Sequence, residues 1–208
     1  MANIKISQLT SATTPLAGTE VVELVQGGAS VKVAVNYIGN SADALPFASL
    51  AGRAYCDFYD TTDQTGSTTV PTPVKFGTTV LNTGITIANN GSGDPTRVTF
   101  TAAGKYRVIA TLQCTNSDTA PHIITAWLRV NGTDVVASAG KIVVTKTADG
   151  GVASIRVVGI ITVTAAQYAE VFWVVDNTTI TLDATASAAG PPALPAFASA
   201  RIIAERIA

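Results

Sequence analysis

Charge is scarce in this chain: of 208 residues only 13% are charged, while 47% are hydrophobic. Soluble domains carry nearer a quarter charged residues. So much uncharged surface is hard to leave in water, and burial against further copies or against a large assembly relieves it. The 13 Lys and Arg against 14 Asp and Glu give a formal net charge of −1, with no basic run. Neither nucleic acid nor an anionic membrane is therefore expected as a partner. No apolar run of transmembrane length occurs, and the longest candidate, 157–166, is fronted by Arg156. The opening MANIKISQLT lacks a charged stretch followed by an apolar core, so synthesis in a cytoplasm is expected.

The chemistry-bearing residues are equally sparse. Cys56 and Cys114 are too few for a disulfide framework and read as two small buried thiols, bridged only if strand pairing brings them together. One histidine, His122, follows Pro121 with no acid or nucleophile adjacent, and reads as structural. One histidine and two cysteines do not supply a zinc ligand set. Asp57, Asp60 and Asp63 lie three apart in DFYDTTDQTGS, but the spacing is not that of an EF-hand and a solvated turn is expected. No acid pair stands out for glycoside cleavage. Asn90-Gly91-Ser92, Asn131-Gly132-Thr133 and Asn177-Thr178-Thr179 match glycosylation sequons but read as turns. No enzyme, metal or cofactor is expected.

What is abundant is β pattern. Valine and threonine dominate from Ala54 onward, and turn signals such as 90–95, Asn131-Gly132, 149–151 and 190–192 punctuate the chain. Strands are expected at 54–59, 69–76, 79–88, 96–101, 105–115, 122–131, 134–138, 141–147, 152–164, 168–176, 178–184 and 197–207. Many short strands at even spacing make an all-β sandwich or barrel. Residues 1–40 differ in texture. Strands near Val21–Val25 and Val31–Val35 around Gly27-Gly28 read as a hairpin arm. Residues 41–53, with Pro46, read as a linker, and 54–208 as the main domain.

Alternation along the strands sharpens this. Tyr106, Val108, Ala110 and Leu112 share one face of their strand. In 168–175, Ala169, Val171, Trp173 and Val175 oppose Tyr168, Glu170, Phe172 and Val174, so both faces are largely apolar. In 154–163, Ile155, Val157, Ile161 and Val163 oppose Val158 and Ile160. A sandwich strand has one face in the core, and a second apolar face wants another cover. Either the amino-terminal segment or another subunit supplies it. Subunit packing is the expectation, through Tyr106, Tyr168, Phe172 and Trp173.

The order of motifs resembles that of the tumour-necrosis-factor and complement-head jelly rolls. Val74-Lys75-Phe76, then 85–90, then Val98–Phe100 leading to Gly104-Lys105-Tyr106 is similar to that superfamily's core signature. Trp127–Val130 before Asn131-Gly132, the run 162–174 and the closing 198–207 continue the likeness, which spans about 54–208. One departure is Ala166-Gln167 where the family usually has a Gly-Asp turn. The resemblance implies a jelly-roll β-sandwich, typically homotrimeric.

The amino-terminal stretch has a likeness of its own. Lys5–Leu9, Ala12–Glu20 and Val25–Gly28 resemble a segment common at the start of phage tail-fibre and virion-surface proteins. The resemblance implies docking on a phage particle, with Ile6, Leu9, Leu16, Val22, Leu24 and Val33 as the docking side chains. Two functions compete: a homotrimeric capsid decoration (cement) protein bound to the major capsid protein or another virion protein, or a short tail fibre or tail-tip protein that recognises a host surface receptor, glycan or protein. No coiled-coil or spiral shaft separates arm from head, which favours decoration.

Overall fold

The structure, a computed structural model, describes residues 21–26, 29–34 and 53–208. By its contacts the chain divides into two units, 1–52 and 53–208. In the first, β1 (Val21–Gln26) pairs antiparallel with β2 (Ala29–Ala34), and the register sets Val22 opposite Val33 and Leu24 opposite Val31. Ile6, Leu9, Leu16, the Gly27-Gly28 turn and positions 41–52 of the expected linker lie outside the described residues.

The second unit is built of β3 (Tyr55–Asp60), β4 (Gln64–Thr65), β5 (Thr72–Pro73), β6 (Thr78–Thr83), β7 (Ile85–Asn89), β8 (Pro95–Phe100), β9 (Gly104–Asn116), β10 (His122–Val130), β11 (Thr133–Asp134), β12 (Gly140–Val144), β13 (Val152–Val163), β14 (Tyr168–Val175), β15 (Ile180–Leu182) and β16 (Ala200–Arg206). Apart from one 3-10 turn at Thr147–Asp149, every element described is a strand. One sheet has the order β6-β3-β16-β9-β13, with β15 and β4 extending it beside the far end of β9. The other runs β7-β8-β14-β10-β12, with β5 on β14 and β11 on β10. Taking the eight principal strands in chain order, the sheets read 1-8-3-6 and 2-7-4-5, all antiparallel. That interleaving is the jelly roll, two Greek keys folded into a sandwich.

The strands form where alternation predicts, and local chemistry sets their limits. The expected strand 69–76 shrinks to β5 because Pro71 and Pro73 have no N–H to give a ladder. The expected strand 79–88 is cut in two by Gly84, whose φ of 65° breaks the extended run. The expected strand 134–138 is reduced to β11, and Ala137 is itself left-handed at φ 61°. Asn131 (φ 47°) and Gly132 (φ 80°) form the two-residue turn between Val130 and Thr133, as the Asn-Gly pair demands.

The core lies between the sheets. Val108, Ala110, Leu112 and Cys114 of β9 face Ile124, Ala126 and Leu128 of β10 and Ala169, Val171, Trp173 and Val175 of β14, all buried. Within the family-like motif, the rings of Phe100 and Tyr106 lie 4.4 Å apart, and the Tyr106 hydroxyl donates to the Ala102 carbonyl at 2.9 Å, closing the loop between β8 and β9. The Tyr is thus a core residue with a satisfied polar tip. Trp173 is likewise a core residue. Both were expected between subunits, and both are instead covered completely by their own protomer.

Candidate interaction surface

With Tyr106 and Trp173 in the core, the outward faces carry whatever contacts the molecule makes. On the first sheet the register lines up Val158, Ile109, Ile203, Asp57 and Leu81 as one cross-strand row. The adjacent row holds Ile160, Arg107, Glu205 and Tyr55. Ile160 is 64% exposed and Val158 48%, with Leu81, Ile203 and Tyr55 also in solvent. The charges on these rows are largely neutralised at home. Arg201 grips Asp57 with two hydrogen bonds, one of 2.9 Å from Nε, and Arg107 pairs with Glu205. The Asp57 carboxylate holds the Arg201 guanidinium charged beyond its already high ordinary pKa. A sheet face with paired ions and open aliphatics is suited to burial against another apolar surface.

Two features border this face. At one edge runs β13, twelve residues long, and among the described residues it pairs only with β9, so one side of its backbone has no strand partner there. Long open edges of this kind are templates for association. Beyond the β3–β6 side lies a hollow of about 310 Å³ lined by Tyr59, Thr61, Val80, Phe197 and Arg201. Phe197 belongs to an arm, 184–198, that leaves β15 and returns into β16 with bridges only at Thr185–Phe197 and Ala188–Leu194.

The second sheet presents a different outer face. Tyr168 and Phe172, both expected at a subunit interface, are half-buried there beside Trp127. They are covered by cations of their own chain: the Arg97 guanidinium sits 4.4 Å from the Tyr168 ring centre and that of Arg129 4.1 Å from Phe172. Asp134 ties this cluster down, accepting from Trp127 Nε1 at 2.7 Å and from Arg129 Nε. Those two donors hold its carboxyl below the ordinary aspartate value. The buried Glu170 accepts from Thr96 Oγ1 at 2.7 Å and lies 3.8 Å from Arg97.

The remaining polar residues serve turns. His122 Nε2 bonds Asp118 Oδ2 at 2.9 Å, and its Nδ1 lies 3.4 Å from Asp176 Oδ1. The imidazole beside Asp118 is the main reason that carboxyl is held below its usual range. These contacts join the loop before β10 to the end of β14. The three spaced aspartates point to different partners: Asp57 to Arg201, Asp60 to the Thr62 and Gly77 amides, Asp63 to the Ala184 amide. Among the described residues no group of three or more His, Cys, Asp or Glu is placed to hold a metal ion. A polar cleft of about 460 Å³ opens between Asp63, Thr72, Lys75, Asn90 and Asp94, with Trp173 in its wall.

Cys56 and Cys114 are free and buried, and burial pushes each thiol up to about 12. Cys56 is level with Val108 across Ala204, six positions from Cys114 along β9. At about 3.3 Å per residue that separation is roughly 20 Å, too far for a bridge.

By its strand order the chain is a jelly-roll β-sandwich, and the outer face of its first sheet carries exposed aliphatics, Val158, Ile160, Ile203 and Leu81, among polar and charged side chains such as Arg107, Thr111 and Arg156. No family model matches the sequence, and no curated protein matches it. Among solved structures it is similar to the crystal structure of murine APRIL at pH 5.0, at 10% identity and a TM-score of 0.43. That match covers 74% of this chain and 99% of the other. At this distance the fold assignment rests on the strand pairing described above.

Proposed function

We propose that this chain is a non-enzymatic structural subunit of a bacteriophage virion: a homotrimeric decoration protein that stabilises the head shell. The observation that carries the reading is the cross-strand row Val158–Ile109–Ile203–Asp57–Leu81, whose aliphatics are open and whose one carboxylate is already paired with Arg201. The open twelve-residue edge of β13 points the same way, because a lone protomer would leave it a site of uncontrolled pairing. Association through that face buries both liabilities. The amino-terminal arm, by its likeness to virion docking segments, attaches the trimer to the major capsid protein or a neighbouring virion protein. Three arms per assembly then act with avidity. Catalysis plays no part, and the assembly works passively by holding neighbouring shell subunits together.

A second reading, a short tail-tip protein that binds a host surface glycan or protein, is favoured by one feature: the polar cleft between Asp63, Lys75, Asn90 and Asp94. Counting copies in purified particles separates the two. A number comparable to that of the shell subunit supports decoration, and a few trimers per particle supports the tail. A chain absent from particles contradicts both.

A further inference from the structure

Two asparagines in the sequence stand directly before glycine, in Asn90-Gly91 and Asn131-Gly132. Such a pair rearranges without any partner, because the glycine nitrogen lies next to the asparagine carboxamide and no Cβ on the glycine obstructs it. The structure holds the two pairs differently.

Asn131 is tied to another strand. Its backbone is left-handed at φ 47°, its N–H donates to the Tyr168 carbonyl at 3.0 Å, and its Oδ1 accepts from the Tyr168 N–H at 3.0 Å. The ladder of Arg129 with Asp134 and Val130 with Thr133 closes the turn around it. Turning this carboxamide onto Gly132 would break its hold on β14. Asn90 is bonded within its own loop instead. Its Oδ1 accepts from the Ser92 N–H at 2.9 Å and the Asp94 N–H at 3.0 Å, which folds the carboxamide back along the Gly91 peptide. Those two N–H groups also face the oxygen on which negative charge develops when a nitrogen adds to Cγ, as in an oxyanion hole. Gly91 is exposed, and nothing lies within 4 Å of where its Cβ would be.

We propose that Asn90-Gly91 is a site of spontaneous deamidation in the folded protein and that Asn131-Gly132 is held against it. The Gly91 nitrogen, its proton taken by hydroxide, adds to Asn90 Cγ. An N–Cγ bond forms, the Cγ–Nδ2 bond breaks, and Nδ2 leaves as ammonia with a proton from water. Water then opens the five-membered imide at one of its two carbonyls and leaves aspartate or isoaspartate at position 90. The sum is amide plus water to acid plus ammonia, with no oxidant or reductant. The product lines the polar cleft with Lys75 and Asp94, whose own ion pair spans 3.5 Å, and adds a carboxylate beside them. The step holds wherever on a particle the chain sits.

The test incubates the full, unaltered chain at mildly alkaline pH and follows two tryptic peptides, 76–97 and 130–141, by mass spectrometry. Fragment spectra place the change from amide to acid at Asn90 rather than Asn82 or Asn89, and chromatography separates aspartate from isoaspartate. In the folded chain Asn90 should convert about tenfold faster than Asn131 or more, since two N–H groups face its developing charge. In urea the two rates should converge. Gly91→Ala changes an open position whose φ is not left-handed, so the variant should fold, and conversion at 90 should slow by about tenfold. A smaller difference between Asn90 and Asn131 in the folded chain, or the same difference in urea, overturns the proposal. So does a rate at 90 that Gly91→Ala leaves unchanged, because the imide would then not be the route.

Discussion

Gly66 lies flat against the indole of Trp173: a Cβ at position 66 would sit 2.8 Å from Cζ3 and 2.9 Å from Cη2. The ring is 1% exposed and cannot swing away. Gly66→Ala should therefore cost about 1–3 kcal/mol, the usual range for overpacking a filled core. The shift of the urea midpoint measures it, and an unshifted midpoint would mean that the ring has room to move.

The same contact reassigns an obvious interface variant. Trp173→Arg places an unpaired charge in the core, so the expected result is unfolded or insoluble chain rather than folded monomer. Soluble protein with a cooperative melt would contradict the placement of this strand. Val158→Glu and Ile203→Glu act on exposed positions and should leave a folded chain with a cooperative melt, lowered only by the loss of subunit association.

How the sequence misled at Trp173 is instructive. Alternation separated Ala169, Val171, Trp173 and Val175 from Tyr168, Glu170, Phe172 and Val174 correctly, and it placed Tyr106 with Val108, Ala110 and Leu112. It could not say which apolar face meets the other sheet, because a core and a subunit contact select the same side chains. Aromatic size drew attention to Tyr106 and Trp173, while the exposed positions that matter, Ile160 and Ile203, are plain aliphatics on well-patterned strands. The jelly roll itself was legible, since turn chemistry and motif order are local. Arg129 above Phe172 and Arg97 above Tyr168 were not, because those residues meet only through strand pairing or across the sheet.

Acid should loosen the molecule with a definite sign. Asp118 and Asp134 are both held below the ordinary aspartate value of 3.8 by hydrogen bonds they accept. Their contribution is present above the unfolded-state value and is lost as pH falls through the folded one. Stability should therefore decline below 3.8. Asp118→Asn and Asp134→Asn should each flatten that decline. Denaturation midpoints measured across the acid range check it, and a variant whose acid slope equals that of the unaltered chain removes that residue from the account.

The two thiols should be silent in the folded protein. With burial pushing each to about 12, a disulfide-exchange reagent at neutral pH should react only as fast as the chain opens, and both thiols should react at once in denaturant. Prompt reaction of either one in the native state would place it at the surface.

The central claim is that the open face of the first sheet is a meeting surface for copies of this chain. Mass by light scattering tests it directly, with Val158→Glu plus Ile203→Glu as the comparison. The unaltered chain should weigh three times 21.3 kDa and the variant 21.3 kDa, both folded. An unaltered chain that runs as a single copy, or a variant that remains trimeric, would contradict the account.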